Sequence, residues 1–409
     1  MDRRDFLRTA GLTGAACIAP TWLSGGLQVW AAPTGDGEPA DPSYRWDRIL
    51  VLVELSGGND GLNTVVSHRD DAYYRLRPKI AVPKKETIRL DDERGLHPSL
   101  APFGETWKRG DLAVVQGVGY PDPNRSHFRS IEIWETGSDS DEFRSRGWLS
   151  SLLTRATLPT EHAADGIVVG GSDPGPLAGK GLRTITMSEP SQFIARAKAL
   201  PEAAAKGIAP ALRHLMEVRE QTRRAAKIIE ERLAGTRAPA GFPRTKIGQQ
   251  FSVAARLLTS GVPTRVVKLN HGGFDTHTNQ VGQHTRLLDQ LGKGFAAFEK
   301  SMRQAGLWDR VLVMTYSEFG RRAAENGSGG TDHGTAAPHF VAGGSVKGGL
   351  YGEAPSLENL QGGDLRHTVD YRRLYASVAE EWWKLPKAWV EGGKFDSVGF
   401  IDRPSEAKL

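Results

Sequence analysis

The stretch "DRILVLVELSGGNDGLN", residues 47–63, decides the fold. Its apolar run at residues 49–55 ends abruptly in two glycines, followed by Asn59 and Asp60. A continuous apolar run of this length is typical of a strand that is buried on both faces, as in a sheet flanked by helices. The glycines allow the backbone to turn sharply where the strand ends. The stretch therefore predicts an inner strand of an α/β sheet, with polar residues at its carboxyl end.

Further apolar runs along the chain repeat this pattern. They predict strands at residues 111–120, 166–171, 265–269 and 311–316, and apolar residues at helical spacing predict helices at residues 210–233, 247–258, 281–305 and 371–383. Alternating strands and helices favour an α/β fold with a mostly parallel sheet. The helix-rich part at about residues 188–258 is interpreted as an insertion or a cap. No break divides residues 46–409, which we expect to form a single domain.

Composition narrows the range of partners. The chain has 409 residues, with 39% hydrophobic and 25% charged residues, which is ordinary for a globular protein. Its net charge of +5 comes from 53 basic and 48 acidic residues, and no basic block with interleaved aromatic residues stands out. The composition therefore predicts no nucleic-acid partner.

The amino terminus predicts export. Residues 1–32 combine the arginine pair of "RRDFLR", a weakly apolar stretch and a small-residue end, "AAP". This pattern indicates a twin-arginine signal, and hence passage through the twin-arginine machinery to the periplasm or beyond; the alternative is a cytosolic helix. Pro20 and several glycines interrupt the stretch and argue against a stable membrane anchor. A polar leader follows at residues 33–45. The one cysteine, Cys17, lies within the signal, so we expect no disulfide and no thiolate ligand in the mature chain.

Polar clusters follow the predicted strands, and ligands bind beyond the carboxyl ends of strands in open parallel sheets. Asp60 is interpreted either as a metal-binding carboxylate or as a turn residue of "NDG". Ser126 stands at a predicted helix start, between Arg125 and Arg129. The serine is either a nucleophile or a helix cap, and the arginines either bind an oxyanion or are solvated.

Two histidine-rich clusters lie further along. In "NHGGFDTHTNQVGQH", His271, Asp275, His277 and His284 fall within fifteen residues after a predicted strand. In "TYSEFG" and "GGTDHGTAAPH", the candidate residues are Glu318, Asp332, His333 and His339. Imidazole and carboxylate are ligands of zinc and similar divalent ions, although the glycine-rich part of the second cluster is also compatible with a disordered loop. The residues that we expect to bind metal are Asp60, Asp275, His277, His284, Glu318, Asp332 and His333.

Several motifs together resemble one family. They are "RRDFLR", "LVELSGGNDGLNTVV", "GLHPSLAP", "VGYPDPNRSHFRSIEIWETG", "NHGGFDTHTNQ" and "MTYSEFGRRAAENGSGGTDHGTA". The chain is similar to the exported bacterial proteins called domain of unknown function 1501, which resemble a remote branch of the alkaline phosphatase and sulfatase superfamily. The resemblance implies a three-layer α/β/α fold of the alkaline phosphatase type, with one or two divalent ions (Zn, Mn, Ca or Mg) on the loops that follow the strands.

The resemblance also implies roles for single residues. Asp60 matches the superfamily's metal-binding aspartate, and Ser126 stands near its nucleophile. Asp275 with His277, or with His284, resembles an aspartate–histidine metal pair, and His333 resembles the late histidine ligand. Glu318 and Phe319 stand where the superfamily has aspartate and histidine, so Phe319 removes one ligand. Pro121 stands where sulfatases carry the formylglycine cysteine, which argues against that subclass.

Two functions follow as hypotheses, and the alternative to both is that the histidine and aspartate clusters are only structural. The first is an exported, metal-dependent hydrolase of phosphate or sulfate esters, acting on small-molecule or polymer-borne substrates, with Ser126 as nucleophile and Arg125 or Arg129 on the anion. The second is a degenerate member of the superfamily that serves as a non-catalytic binding or assembly protein.

Overall fold

A computed structural model describes residues 41–156, 158–200 and 210–401. The predicted signal at residues 1–32, with Cys17, and the first part of the predicted leader lie outside the described residues. Among the described residues, no helix is long and apolar enough to cross a membrane.

A large sheet runs through the middle of the protein. Its strand order is β11–β5–β10–β9–β1–β8–β6–β7, with β12 also paired to β5, and β2, β4 and β3 form a small separate antiparallel sheet. The strands are β1 (Ile49–Ser56), β2 (Val65–Val66), β3 (Ile88–Arg89), β4 (Gly95–Leu96), β5 (Leu112–Gly119), β6 (Gly166–Val169), β7 (Thr184–Met187), β8 (Val266–Gly272), β9 (Val311–Tyr316), β10 (Ala337–Ala342), β11 (Gly349–Tyr351) and β12 (Val369–Asp370). In the large sheet all pairings are parallel except those of β10, which runs antiparallel to β5 and β9.

Helices connect these strands. They are α1 (Gly61–Thr64), α2 (Asp71–Leu76), α3 (Ala101–Lys108), α4 (His127–Thr136), α5 (Trp148–Leu153), α6 (Pro190–Lys198), α7 (Pro210–Leu233), α8 (Lys246–Thr259), α9 (Gln280–Gln304) and α10 (Arg372–Ala376). A π-helical turn, Ser377–Trp382, continues α10, and short 3₁₀ turns lie at Lys84–Glu86, Pro98–Leu100, Gly175–Leu177, Trp308–Arg310, Lys387–Trp389 and Glu391–Gly393.

The sheet has a hydrophobic core on each face. Along β1, Val51 and Val53 enter the core that α3 and α6 to α9 cover, whereas Leu50 and Leu52 enter the core beneath α4, α5 and α10. Alternate side chains of a strand point to opposite faces, so a continuous apolar run serves both cores. Each such buried side chain contributes roughly 1.5–3 kcal/mol of transfer free energy. The result is the three-layer α/β/α arrangement with a mostly parallel sheet that was expected.

The predicted elements match the structure closely where apolar patterns are long. The strand predicted at residues 311–316 and the helix predicted at 210–233 have the bounds of β9 and α7. The helix predicted at 371–383 changes to π-helical geometry after Ala376. Strand β10 was not predicted. The part interpreted as an insertion or cap holds α6, α7 and α8; α8 packs on α9 and β8 inside the main core, and the role of the remainder as a cap stays a prediction.

One edge of the sheet gathers the polar clusters. Strands β1, β5, β8 and β9 share one direction and end at this edge, and the antiparallel β10 begins there. The loops after β1, β5, β8 and β9 are therefore neighbours, although they are separated in sequence by tens to hundreds of residues.

Candidate metal centre

Asp275 stands at the middle of the site, in the loop that follows β8. Its Oδ1 accepts a hydrogen bond from buried Arg321 and lies 3.0 Å from His277 Nε2 and 3.1 Å from His333 Nε2. Its Oδ2 lies 3.5 Å from His127 Nε2. Partial burial acts to raise the pKa of Asp275, but the hydrogen bond and charge of Arg321, with weaker help from His333 and His277, lower it to about 2. The carboxylate is thus ionised at neutral pH.

His127 opens α4, directly after the loop that follows β5. Its Nδ1 lies 2.8 Å from Glu318 Oε1, and the same oxygen accepts a hydrogen bond from the Gly57 amide at 2.8 Å. Glu318 is buried at the end of β9, so its carboxylate fixes the orientation of the imidazole ring. The Nε2 of His127 is buried and makes no hydrogen bond among the described residues. Glu318 is therefore a positioning residue for His127 in this structure.

His333 reaches the site because the loop between β9 and β10 folds back on itself. Residues 320–322 form backbone hydrogen bonds with residues 332–335, including an isolated antiparallel bridge between Arg321 and His333. The Nδ1 of His333 lies 2.8 Å from the carbonyl oxygen of Arg125. A carbonyl only accepts, so Nδ1 donates to it, and Nε2 lies towards Asp275.

His277 completes the cluster on the solvent side. Its Nδ1 lies 3.1 Å from Asp332 Oδ1, and its Nε2 lies 3.0 Å from the Nε2 of His333. The loop that carries Asp332 is held against the loop of His277, since the Thr331 amide donates to the Thr276 carbonyl at 3.2 Å.

The three histidines share one arrangement. Each has Nδ1 against a carboxylate or carbonyl oxygen, and each directs Nε2 towards Asp275. This is the outer contact that metal-bound histidines make in proteins, where it fixes the tautomer and the ring orientation. We use the term histidine–aspartate cluster for His127, Asp275, His277 and His333.

The donor atoms of this cluster fit a small divalent ion. One ligand atom each from His127, Asp275 and His333 can be chosen so that all lie within 4.8 Å of one another. Ligands about 2.0–2.1 Å from a tetrahedral Zn²⁺ are roughly 3.3 Å apart, close to the 3.0–3.5 Å separations seen here. Nitrogen and carboxylate donors together favour zinc and similar ions over magnesium or calcium.

Phe319 forms an apolar wall behind the cluster. Its ring centroid lies 4.6 Å from that of His333 and 4.9 Å from that of His127. Gly58 makes room for this ring: its φ is +77°, and a Cβ there would lie 2.3 Å from Phe319 Cε2. An apolar ring therefore stands at the position where the resemblance would place another histidine ligand.

Asp60 and His284 meet in a different, fully buried network. Asp60 caps α1 and pairs with Arg77 at 2.6 Å, both side chains being 0% exposed, and it also accepts a hydrogen bond from Gln280. Burial acts to raise the pKa of Asp60, but Arg77, together with His284 and Gln280, offsets this effect and the pKa is lowered. The Nε2 of His284 lies 2.9 Å from Asn59 Oδ1. Arg77 supplies a positive charge beside the carboxylate of Asp60.

The other predicted residues have varied positions. Ser126 is exposed at the N-cap of α4, and its hydroxyl makes no capping hydrogen bond. Arg125 pairs with Asp364 at 3.0 Å and remains partly exposed. Arg129 donates to the carbonyls of residues 139, 140 and 142, pairs with Glu132, and lies over the ring of Phe143, so its guanidinium is engaged away from the helix start.

His271 and His339 lie outside the cluster. The Nε2 of His271 lies 2.9 Å from the carbonyl oxygen of Leu287. His339 is buried in β10 against Trp134, and neither ring nitrogen has a partner among the described residues.

Sequence reasoning did not assign a metal role to His127, although His127 follows β5 just as Asp275 follows β8. The position after a parallel strand was the available signal. No local pattern marks Arg321 or Arg77 as buried.

The fold and the site define a class of protein. It is an α/β protein with a mostly parallel sheet and a histidine–aspartate cluster at the carboxyl edge of that sheet. The chain belongs to the family described as "Protein of unknown function (DUF1501)", whose model matches residues 116–392, as the sequence motifs predicted. No curated protein matches this sequence.

Several solved structures resemble the chain at low identity. They include the lipoteichoic acid synthase LtaP from Listeria monocytogenes, at 9% identity over 76% of this chain and 70% of that chain, with a TM-score of 0.36. The C-terminal periplasmic domain of EcEptC from Escherichia coli, in complex with Zn, is 11% identical over 78% of this chain and 77% of that chain, with a TM-score of 0.34. A protein in the alkaline phosphatase superfamily from Vibrio parahaemolyticus is 10% identical over 87% of this chain and 72% of that chain, with a TM-score of 0.33.

Proposed function

We propose that this protein is an exported hydrolase of phosphate or sulfate esters that depends on one divalent metal ion, held by the histidine–aspartate cluster. The observation that carries the proposal is the shared arrangement of the three histidines, with Nδ1 held by an acceptor and Nε2 directed at Asp275. Export rests on the amino-terminal sequence pattern alone.

His127, Asp275 and His333 would hold the ion, and His277 stands beside them as a fourth donor. A divalent ion in such a site polarises an ester oxygen and offsets its negative charge. The chain's own residues prepare the site: Glu318 and the Arg125 carbonyl orient two of the imidazoles, and Phe319 keeps water from their inner side. Arg321 keeps Asp275 ionised.

Ser126 is our candidate nucleophile, and a bound water is the alternative. Ser126 directly precedes His127 at the amino end of α4, a ten-residue helix whose first amide groups favour an anion. Its hydroxyl is exposed and makes no capping hydrogen bond. Arg125 pairs with Asp364 but remains partly exposed, whereas Arg129 is held by several carbonyls and by Glu132. We therefore assign Arg125 to the developing oxyanion.

The test is turnover by the purified mature protein after metal depletion and reconstitution. Phosphate and sulfate monoesters and diesters are assayed with Zn, Mn, Mg or Ca added singly. We expect at least one metal to restore turnover, and Asp275→Asn and His333→Ala to abolish it. His162→Gln is the matched control, because His162 lies before β6 at the opposite edge of the sheet. Metal-independent turnover, or turnover that survives Asp275→Asn, would contradict the proposal.

Ser126→Ala separates the two nucleophiles. Loss of about three orders of magnitude in kcat, with metal binding retained, is expected if the serine attacks, in the range typical of a removed catalytic group. Full activity of Ser126→Ala would assign the attack to water and leave metal dependence intact.

The second candidate function is that of a non-catalytic binding or assembly protein. Three apolar or cationic side chains at this edge of the sheet favour it. Phe319 packs against the histidines, Arg77 neutralises Asp60, and Arg321 already pairs with Asp275. Bound metal without turnover of any ester, under every metal tested, would support this second function.

A further inference from the structure

A cleft of about 410 Å³ opens beside the histidine–aspartate cluster. Its walls are the end of the β5 loop from Tyr120 to Arg125, Thr335, and the segment from Gln361 to His367. Arg125 joins the two sites, because its side chain lines the cleft and its carbonyl oxygen accepts a hydrogen bond from Nδ1 of His333. A ligand in the cleft would therefore lie next to the cluster.

Asp364 is the unusual residue of this cleft. A tight turn through Gly362 and Gly363, both with positive φ, presents it, and residues 361 and 364 exchange two backbone hydrogen bonds. Its side chain is only 8% exposed. Oδ2 accepts a hydrogen bond from Arg125 at 3.0 Å. Oδ1 makes no hydrogen bond among the described residues, and Arg322 Nε lies 3.7 Å from it.

A buried carboxylate oxygen without a donor is costly. A ligand hydroxyl that draws the Asp364 carboxylate towards the cleft and donates a hydrogen bond to it would recover that free energy. Burial also raises the pKa of Asp364, although Arg125 and Arg322 act to lower it. Both observations indicate an acceptor that lacks its donor.

The charges of the cleft restrict the ligand. Asp122 and Asp364 offset Arg125 and Arg366, so the formal charge of the lining is 2 − 2 = 0 with histidine neutral. Arg366 is exposed, and His367 is half-buried beside it. A balanced lining favours neither a polyanion nor a cation. Acceptors and donors side by side suit hydroxyl groups, which both donate and accept hydrogen bonds.

The apolar part of the lining fits the same class of ligand. Tyr120, two prolines and Leu365 supply carbon surface between the charged groups. A sugar ring has the matching character, with hydroxyls around its rim and C–H groups on its faces. An aryl or simple alkyl alcohol would leave the oxygen of Asp364 without its donor.

We propose that this cleft binds a neutral sugar that forms part of the substrate, with Asp364 and Arg125 hydrogen-bonding its hydroxyl groups. The assignment of that sugar as the alcohol side of an ester rests on the proposed function, whereas binding of the sugar itself does not.

Binding of free neutral sugars tests the proposal without any turnover. Glucose, galactose and N-acetylglucosamine are titrated against the full mature protein, and glycerol serves as the non-specific comparator. We expect at least one sugar to bind, and Asp364→Ala to weaken it about tenfold, the equivalent of one lost hydrogen bond to a charged group. Asp289→Asn, an exposed carboxylate paired with Lys293 on α9, is the control and should not change the affinity.

Arg366→Ala provides a second variant that is safe for folding, because its side chain is exposed. A several-fold weaker sugar affinity in Arg366→Ala, with an unchanged unfolding curve, supports the proposal. The proposal is overturned if none of the three sugars binds better than glycerol, or if sugar binding is the same in Asp364→Ala and Arg366→Ala as in the wild type.

Asp275→Asn keeps the outcomes for the two proposals apart. If sugar binding depends on Asp364 and persists in Asp275→Asn, while the wild-type protein hydrolyses no ester with any of the metals, the inference holds and the proposed hydrolase fails. If esters are hydrolysed but sugar esters are turned over no better than 4-nitrophenyl esters, and Asp364→Ala lowers kcat/KM equally for both, the hydrolase holds and the inference fails.

Discussion

Each oxygen of Asp275 has its own neighbours. Oδ1 faces Arg321, His277 and His333, whereas Oδ2 lies 3.5 Å from Nε2 of His127, which has no hydrogen-bond partner among the described residues. One oxygen is thus held by the protein and the other is open towards the donor that an ion would share. This division would allow Asp275 to bind the proposed ion while it stays paired with Arg321.

The buried pair of Asp60 and Arg77 predicts a large effect on stability. Arg77→Met leaves the Asp60 carboxylate buried without its cation, which typically costs about 3–5 kcal/mol of unfolding free energy. Urea unfolding at neutral pH measures it. The control is Arg75→Ala, two residues before Arg77, which removes an exposed ion pair with Glu358. It should cost less than about 1 kcal/mol of unfolding free energy. Equal costs for both variants would refute the structural role of the Asp60 network.

Substitution of His339 should have the opposite effect on the unfolding free energy. Both of its ring nitrogens are buried without a partner among the described residues, and unpaired buried polar atoms lower stability. His339→Phe keeps a flat ring against Trp134 and removes the unpaired nitrogens. We expect an unfolding free energy at pH 7.5 equal to or above that of the wild type. A loss of more than about 2 kcal/mol would indicate that the nitrogens have a partner, as for a broken hydrogen bond.

Residue types alone predicted part of the site. Asp275, His277, Asp332 and His333 were expected from their density after two strands, and the structure brings them together. Asp60 and His284 were expected beside them and lie instead in the network of Arg77. The difference depends on one arginine 17 residues beyond Asp60, and no short-range pattern shows that its side chain turns inward.

At the scale of elements, the folded-back loop between β9 and β10 controls the site. Gly330 lies so close to the loop of His277 that a Cβ there would be 2.3 Å from the His277 carbonyl carbon and oxygen. Gly330→Ala should push the two loops apart and weaken Zn²⁺ binding about tenfold or more, as for a displaced outer contact. Gly327→Ala, in the same loop but with open space around it, should bind normally. Competition titration with a zinc-sensitive dye distinguishes the two, and equal affinities would show that the loop does not shape the site.

Strands with continuous apolar runs were predictable, but strands of mixed composition, such as β10, were not. Strands β1, β5 and β9 are six to eight residues long and wholly or nearly wholly buried, so composition identifies them. Strand β10, "APHFVA", contains a proline and a histidine and lies between two other strands. Its pairing with β5 and β9 depends on strand order in space, which the pattern of a single segment does not encode.

At the scale of the whole molecule, buried neutral histidines link folding to pH. Burial lowers the pKa of His97 to about 4 and that of His339 to about 3. Burial is also the main cause for His162 and His284, with pKa values of about 3. Each pKa is below its unfolded value near 6.5, so the unfolded chain binds more protons between these values. Their stabilising contribution is complete above pH 6.5 and is lost as the pH falls towards 3–4.

Unfolding free energies should therefore decrease from pH 7.5 to pH 5, by up to about 1.4 kcal/mol per pH unit for each such histidine. Urea unfolding across this range measures the slope. His339→Phe removes one of the groups and should give a shallower slope than the wild type. Parallel slopes for the two proteins would show that His339 is not buried in its neutral form.

Zinc binding to the mature protein tests the central claim most directly. Isothermal titration of metal-depleted protein should show one ion per chain. Asp275→Asn, His127→Ala and His333→Ala should each weaken binding by more than about tenfold, the scale of one lost ligand or outer contact. His162→Gln should retain wild-type affinity. A wild-type chain that binds no zinc, or cluster variants that bind it as tightly as His162→Gln, would contradict a metal centre built on Asp275.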